Sequence, residues 1–88
     1  MLIEVTKEDI LSGVQFSASL CPVARALRRC TGRSWSVMST SASVVHGDGS
    51  LGEAILLPDA ATRFVRSFDC NRYAASPVSF VMEVPDAD

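Results

Sequence analysis

The run Cys21-Pro22-Val23-Ala24-Arg25-Ala26-Leu27-Arg28-Arg29-Cys30-Thr31-Gly32 decides the fold, because it is a helix with both ends marked. Cys21 takes the N-cap position, Pro22 suits the first helical position, where its missing N–H costs nothing, and Gly32 follows as a stop. Val23, Ala26, Leu27 and Cys30 recur at i, i+3, i+4 and i+7 and make one apolar stripe; Arg25, Arg28 and Arg29 fall on the other side. Arg28 and Arg29 also oppose the negative end of the helix dipole. A stripe of this width needs a surface to cover, and the flanking sequence supplies strands.

Toward the start, Val14 to Leu20 has no period and reads as a loop. Thr6 and Asp9 have the spacing of a capping box for a brief helical turn through Leu11, ended by Gly13, and Leu2 to Val5 reads as a first strand. Toward the end, the period changes to two from Ser34, with Trp35, Val37 and Val44 alternating with serines. Val45 leads into the turn His46-Gly47-Asp48-Gly49-Ser50, and Glu53 to Leu57 supplies a returning strand. Pro58 and Asp59 open a second helix whose stripe is Ala61, Phe64, Val65 and Phe68, closed at Asp69-Cys70-Asn71. A last strand from Pro77 to Val84 points Val78, Phe80, Met82 and Val84 to one face, and Pro85-Asp86-Ala87-Asp88 is an acidic tail. The order β-turn-α-β-β-β-α-β predicts an α+β fold, a mostly antiparallel sheet of about four to five strands with two helices packed on one face. At 88 residues this is one domain, residues 1–88.

Composition narrows the function. No apolar run is long enough to span a bilayer and no export signal opens the chain, so a cytoplasmic, membrane-free protein is expected, with Cys21, Cys30 and Cys70 reduced. A net charge of −2 and the lack of a recognition-helix pair argue against DNA.

No metal is expected, because the cysteines lack zinc spacing, and no cofactor is called for. Cys21 at a helix start is a candidate for a lowered thiol pKa, but a nucleophile needs a positioned base and the only histidine, His46, lies in the glycine turn. His46, Asp48 and Ser50 share one tight turn, too close in sequence for a triad, and the glycine-rich turn lacks the lysine of a phosphate loop. A non-enzyme is expected. The remaining candidates are the arginines, seven of the eight cations. Arg25, Arg28, Arg29 and Arg33 cluster around the first helix, Arg63, Arg66 and Arg72 around the second. Side by side, the two helices would line one groove for a phosphate-bearing ligand or an acidic protein surface; the alternative is an ordinary solvated helix face.

Val5-Thr6-Lys7-Glu8-Asp9-Ile10, then Gly13, then Cys21-Pro22-Val23-Ala24-Arg25-Ala26-Leu27 resembles a family of small proteins encoded by tailed phages and prophages. Leu57-Pro58, Ala61, Phe64-Val65, Phe68-Asp69 and Pro77-Val78-Ser79-Phe80 are similar to that family's second helix and closing strand, whereas Ser34 to Gly52 matches nothing in it. The resemblance implies a phage setting, in which small accessory proteins often antagonise host antiviral immunity. Three mechanisms stay open. The chain sequesters a cyclic nucleotide-type signal, with Arg25, Arg28, Arg29, Arg33, Arg63 and Arg66 on phosphates and Trp35 or Phe16 stacked on a base. Or it blocks a host defence protein, with Glu53, Asp59, Glu83, Asp86 and Asp88 filling a nucleic-acid groove. Or it is an accessory protein acting as a homo-oligomer through outward residues such as Val81.

Overall fold

In the computed structural model, which describes residues 1–85, the helix read between Cys21 and Gly32 spans Pro22–Thr31 and is the second of three. The elements run β1 (Leu2–Val5), α1 (Lys7–Ser12), α2 (Pro22–Thr31), β2 (Ser34–Val37), β3 (Ser41–Val45), β4 (Ile55–Leu56), α3 (Asp59–Cys70), a 3-10 turn (Arg72–Ala74) and β5 (Val78–Val81). The fold is α+β, with antiparallel strands throughout.

Local chemistry fixes the helix ends. The Cys21 thiol accepts from the Ala24 N–H at 3.5 Å, and Gly32, at φ +74°, donates its N–H to the Arg28 carbonyl at 2.8 Å. α1 starts on the capping box: Thr6 Oγ1 accepts from the Asp9 N–H at 3.2 Å, and Asp9 Oδ2 accepts from the Thr6 N–H at 2.9 Å. Gly13 ends α1 for a different reason from Gly32. Its φ of −70° is open to any residue, but an added Cβ would lie 2.6 Å from Pro22 Cγ and 2.7 Å from the Asp9 carbonyl, so glycine lets α1 and α2 touch.

The strands form two sheets where the sequence predicts one. β1 pairs with β5 in the register Leu2↔Val81 to Val5↔Val78, and β2, β3 and β4 form a three-stranded meander. α2 packs against both β1 and β2, so the sheets share a core without sharing a ladder, and α3 covers β5. Two strands are shorter than expected. β5 ends at Val81, since β1 has four residues to offer it, and the strand expected over Glu53 to Leu57 is reduced to Ile55–Leu56, with Leu51 making a separate bridge to Val45. β2 keeps an outer edge, where the Val37 N–H donates to the Ala18 carbonyl at 2.7 Å. That loop contact occupies a donor that would otherwise invite another strand.

The core draws on the predicted stripes, Val23, Ala26 and Leu27 from α2, Ala61, Phe64, Val65 and Phe68 from α3, and Ile3, Val5, Trp35, Val37, Val44 and Phe80 from the strands, joined by Ile10, Cys21, Ala24, Ala42 and Leu57, while Cys30, Val78 and Val84, expected on those stripes, are only half-buried. Phe64 and Phe68 stack at a centroid separation of 6.1 Å. The expected acidic tail, with Asp86 and Asp88, lies outside the described residues.

Candidate binding surfaces

The seven arginines do not line one common groove: three of them, Arg29, Arg33 and Arg72, hold the fold together, and the other four are spread over separate surfaces. Arg29 donates to Asp9 Oδ1 at 2.6 Å and to the Glu4 carbonyl at 2.5 Å, tying α2 to α1 and β1. Arg33 donates to the Pro85 carbonyl. Arg72 donates to the carbonyls of Ile10, Leu11 and Gly13 at 3.0 to 3.2 Å and lies 5.5 Å from the Phe68 ring centroid, so it caps α1 from across the fold. These guanidiniums satisfy main-chain carbonyls that would otherwise lack partners. Arg25 and Arg28 share a groove on the α1–α2 side with Arg29, Glu8, Asp9, Ser19 and Leu20. Arg63 and Arg66 line two different hollows on α3.

Asp9 is the one buried charged residue among those described, 2% exposed. Burial would push its carboxyl up, but the hydrogen bonds from Arg29 and Thr6 and the Arg29 charge outweigh it and hold the group below its ordinary value. Cys21 goes the other way. Burial pushes its thiol up despite the helix start, so the candidate lowering is not found. Cys21, Cys30 and Cys70 are free thiols, buried, half-buried and exposed in turn.

Trp35 is not available to a ligand. It is 1% exposed and its Nε1 donates to Thr31 Oγ1 at 2.8 Å. The alternation that puts it on the same face as the buried Val37 and Val44 was the signal for this. Phe16 is the opposite case, 81% exposed and with φ at +59°, in the left-handed region that side chains other than glycine rarely adopt. Its backbone is held from both sides. The Phe16 N–H donates to Asp69 Oδ1 at 3.1 Å, Gln15 Nε2 donates to the Phe68 carbonyl at 2.9 Å, and the loop is pinched shut by the Val14 N–H on the Leu20 carbonyl at 2.9 Å.

Phe16 lines two adjoining hollows, with Ser39, Val65 and Asp69 common to both. One, of about 450 Å³, adds Arg66 and Cys70; the other, of about 270 Å³, adds Cys21, Val37 and Met38. Met38 is exposed and was not singled out from sequence, where no periodicity or motif marks it. The structure therefore brings together Phe16 and Arg66 from the sequence candidates and separates them from Arg25 and Arg28.

The glycine turn is a turn. Asp48 Oδ1 accepts from the Ser50 N–H at 2.9 Å and from its hydroxyl at 2.6 Å, so carboxylate and hydroxyl bond directly to each other. Among the described residues no group of three or more His, Cys, Asp or Glu side chains is placed to hold a metal ion, and no helix is long and apolar enough to cross a membrane. Val81 is exposed, as expected, and sits opposite the exposed Leu2 across the β1–β5 ladder.

Fold and surface together define an α+β domain that displays a tethered aromatic beside an apolar hollow. No family model, curated protein or solved structure matches the chain.

Proposed function

We propose that this chain is a non-enzymatic binding protein that docks a protein partner through the surface around Phe16 and acts, in the phage setting implied by the sequence resemblance, by blocking a host defence protein. The observation that carries the reading is Phe16 itself: an aromatic ring left in water, on a backbone in an unfavourable conformation, secured by Asp69 and Gln15. Strain of this kind persists only where the surroundings impose it, and it gathers at functional sites. Phe, Met and Arg are the residues that interfaces favour, and Phe16, Met38 and Arg66 border the adjoining hollows.

The test is phage infection of bacteria that each carry one defined defence system, with the wild-type chain or Phe16→Ser expressed. Rescue of phage by the wild type in one system, lost in Phe16→Ser although that variant folds, is the expected result. Rescue in no system, or full rescue by Phe16→Ser, defeats the proposal. A second reading is favoured by one observation, the placement of Phe16 and Arg66 on one hollow of about 450 Å³: a nucleotide signal stacks on the ring with its phosphate at Arg66. Calorimetry with cyclic nucleotides separates the two. Binding heat that disappears in Arg66→Gln supports the nucleotide reading, and absence of heat for any of them removes it.

A further inference from the structure

The groove between α1 and α2 holds a second, separate site. It measures about 540 Å³ and is bordered by three guanidiniums, Arg25, Arg28 and Arg29, and two carboxylates, Glu8 and Asp9. These charges do not simply cancel, because the Asp9 charge is already committed. Its Oδ1 accepts from Arg29 at 2.6 Å and its Oδ2 from the Thr6 N–H at 2.9 Å. Arg25 Nε makes a long ion pair with Oδ1 at 4.0 Å, beyond hydrogen-bond reach, and no hydrogen-bond acceptor meets this buried atom, although 39% of the side chain is open to water. A buried donor of this kind is unusual in a folded protein and calls for an explanation. Arg28, exposed, makes no ion pair or hydrogen bond among the described residues. Arg25 and Arg28 are three residues apart on one helix and so are neighbours on its surface.

We infer that this groove binds a phosphoryl group of a small molecule, with Arg25 and Arg28 as its two cationic partners and the Ser19 hydroxyl, at the rim, as a further donor. With Asp9 held by Arg29, Arg25 and Arg28 outweigh Glu8 and leave the groove net positive, and Arg28, which no protein acceptor engages, offers the planar fork that suits a phosphate. Size is consistent with this, since the groove lies in the range of small-molecule sites. Arg29 is a positioning residue. By holding Asp9 at 2.6 Å, it keeps the carboxylate's ion pair with Arg25 long, at 4.0 Å.

The site is independent of the Phe16 surface, and its test is built to show that. Inorganic phosphate, pyrophosphate and a nucleoside monophosphate are titrated separately into the protein at constant ionic strength, following the Nε–Hε signals of the arginines by NMR. The expected result is a saturable shift of Arg25 and Arg28 with each phosphate, weakened about tenfold or more in Arg28→Gln and unchanged in Arg66→Gln and Phe16→Ser. Arg28 is exposed, so its replacement leaves folding intact. A shift that chloride reproduces, a Kd that Arg28→Gln does not change, or saturable binding of an acidic peptide with none of the phosphates overturns the assignment.

Discussion

Replacing Asp9 with alanine should be the most damaging single polar change in this chain, and the loss should depend on pH. The side chain is 3% exposed and does three jobs: it closes the capping box on Thr6, it pairs with Arg29, and it stands between Arg29 and Arg25. The charge-assisted hydrogen bond contributes about 1.5–3 kcal/mol and the reciprocal cap about 0.5–1 kcal/mol. Both arginines are well exposed at 39% and 47%, so water recovers part of their loss, and the total stays near 2–3 kcal/mol, below the full cost of breaking a buried pair. In a domain of this size that lowers the melting temperature by about 10–20 °C. The sign of the pH effect follows from the depressed carboxyl pKa. Its stabilisation is present above 3.8, the ordinary value, and is lost as pH falls through the lower folded-state value. Thermal melts of wild type and Asp9→Ala should therefore differ widely at pH 7, and the gap should narrow as pH falls below 3.8 toward the point where Asp9 is protonated in the folded state as well. A drop of less than about 3 °C at pH 7, or a gap that stays constant with pH, would refute the reasoning.

Gly13→Ala should cost about 1–3 kcal/mol through contact alone, since the φ of −70° suits alanine but the Asp9 carbonyl at 2.7 Å is backbone and cannot swing away. An unchanged urea midpoint would contradict this. Phe16→Gly should leave stability unchanged or raise it by up to about 1 kcal/mol, because glycine tolerates φ of +59° and the exposed ring buries little, while partner binding is lost. A clear loss of stability would make Phe16 a packing residue. Thiol labelling of the native protein at pH 8 should modify Cys70 first and Cys21 only on unfolding, since Cys21 is buried and its thiol pushed up. Native-state labelling of Cys21 would contradict its placement.

How much of this was legible in the sequence depended on how local the cause was. α2 matches its sequence limits because Cys21, Pro22 and Gly32 act within one turn of the ends they mark. The capping box of Thr6 and Asp9 is local in the same sense. The division into two sheets was not legible. β1 and β5 lie at opposite ends of the chain, and nothing in either strand says that it will pair with the other and not with β2. The arginines were half legible. Their number was evident, but Arg29, Arg33 and Arg72 end on carbonyls of Glu4, Pro85, Ile10, Leu11 and Gly13, and a main-chain acceptor leaves no mark in a sequence pattern. Phe16 stands out in the sequence as an aromatic in an otherwise small and polar loop, but its left-handed backbone does not, since the tether that holds it, Asp69, is more than fifty positions away.

The loop from Gly13 to Leu20 ties the two candidate sites together physically without making them one. Ser19 and Leu20 border the arginine groove, whereas Phe16, Ser17 and Ala18 border the hollows on the other side. The loop is closed on itself between Val14 and Leu20 and pinned outside itself through Ala18 to Val37 of β2 and through Gln15 and Phe16 to Phe68 and Asp69 of α3. A loop held in this way transmits displacement poorly, because its outside anchors lie on two different packed elements, β2 and α3. Changes at the exposed tips, Phe16 on one side and Arg28 on the other, should therefore act separately, and a double variant should show the sum of the two single losses. Asp69→Ala is different in kind. It frees the Phe16 backbone without touching the ring, and if the display of that ring is what a partner recognises, binding should weaken even though every atom of the aromatic surface remains.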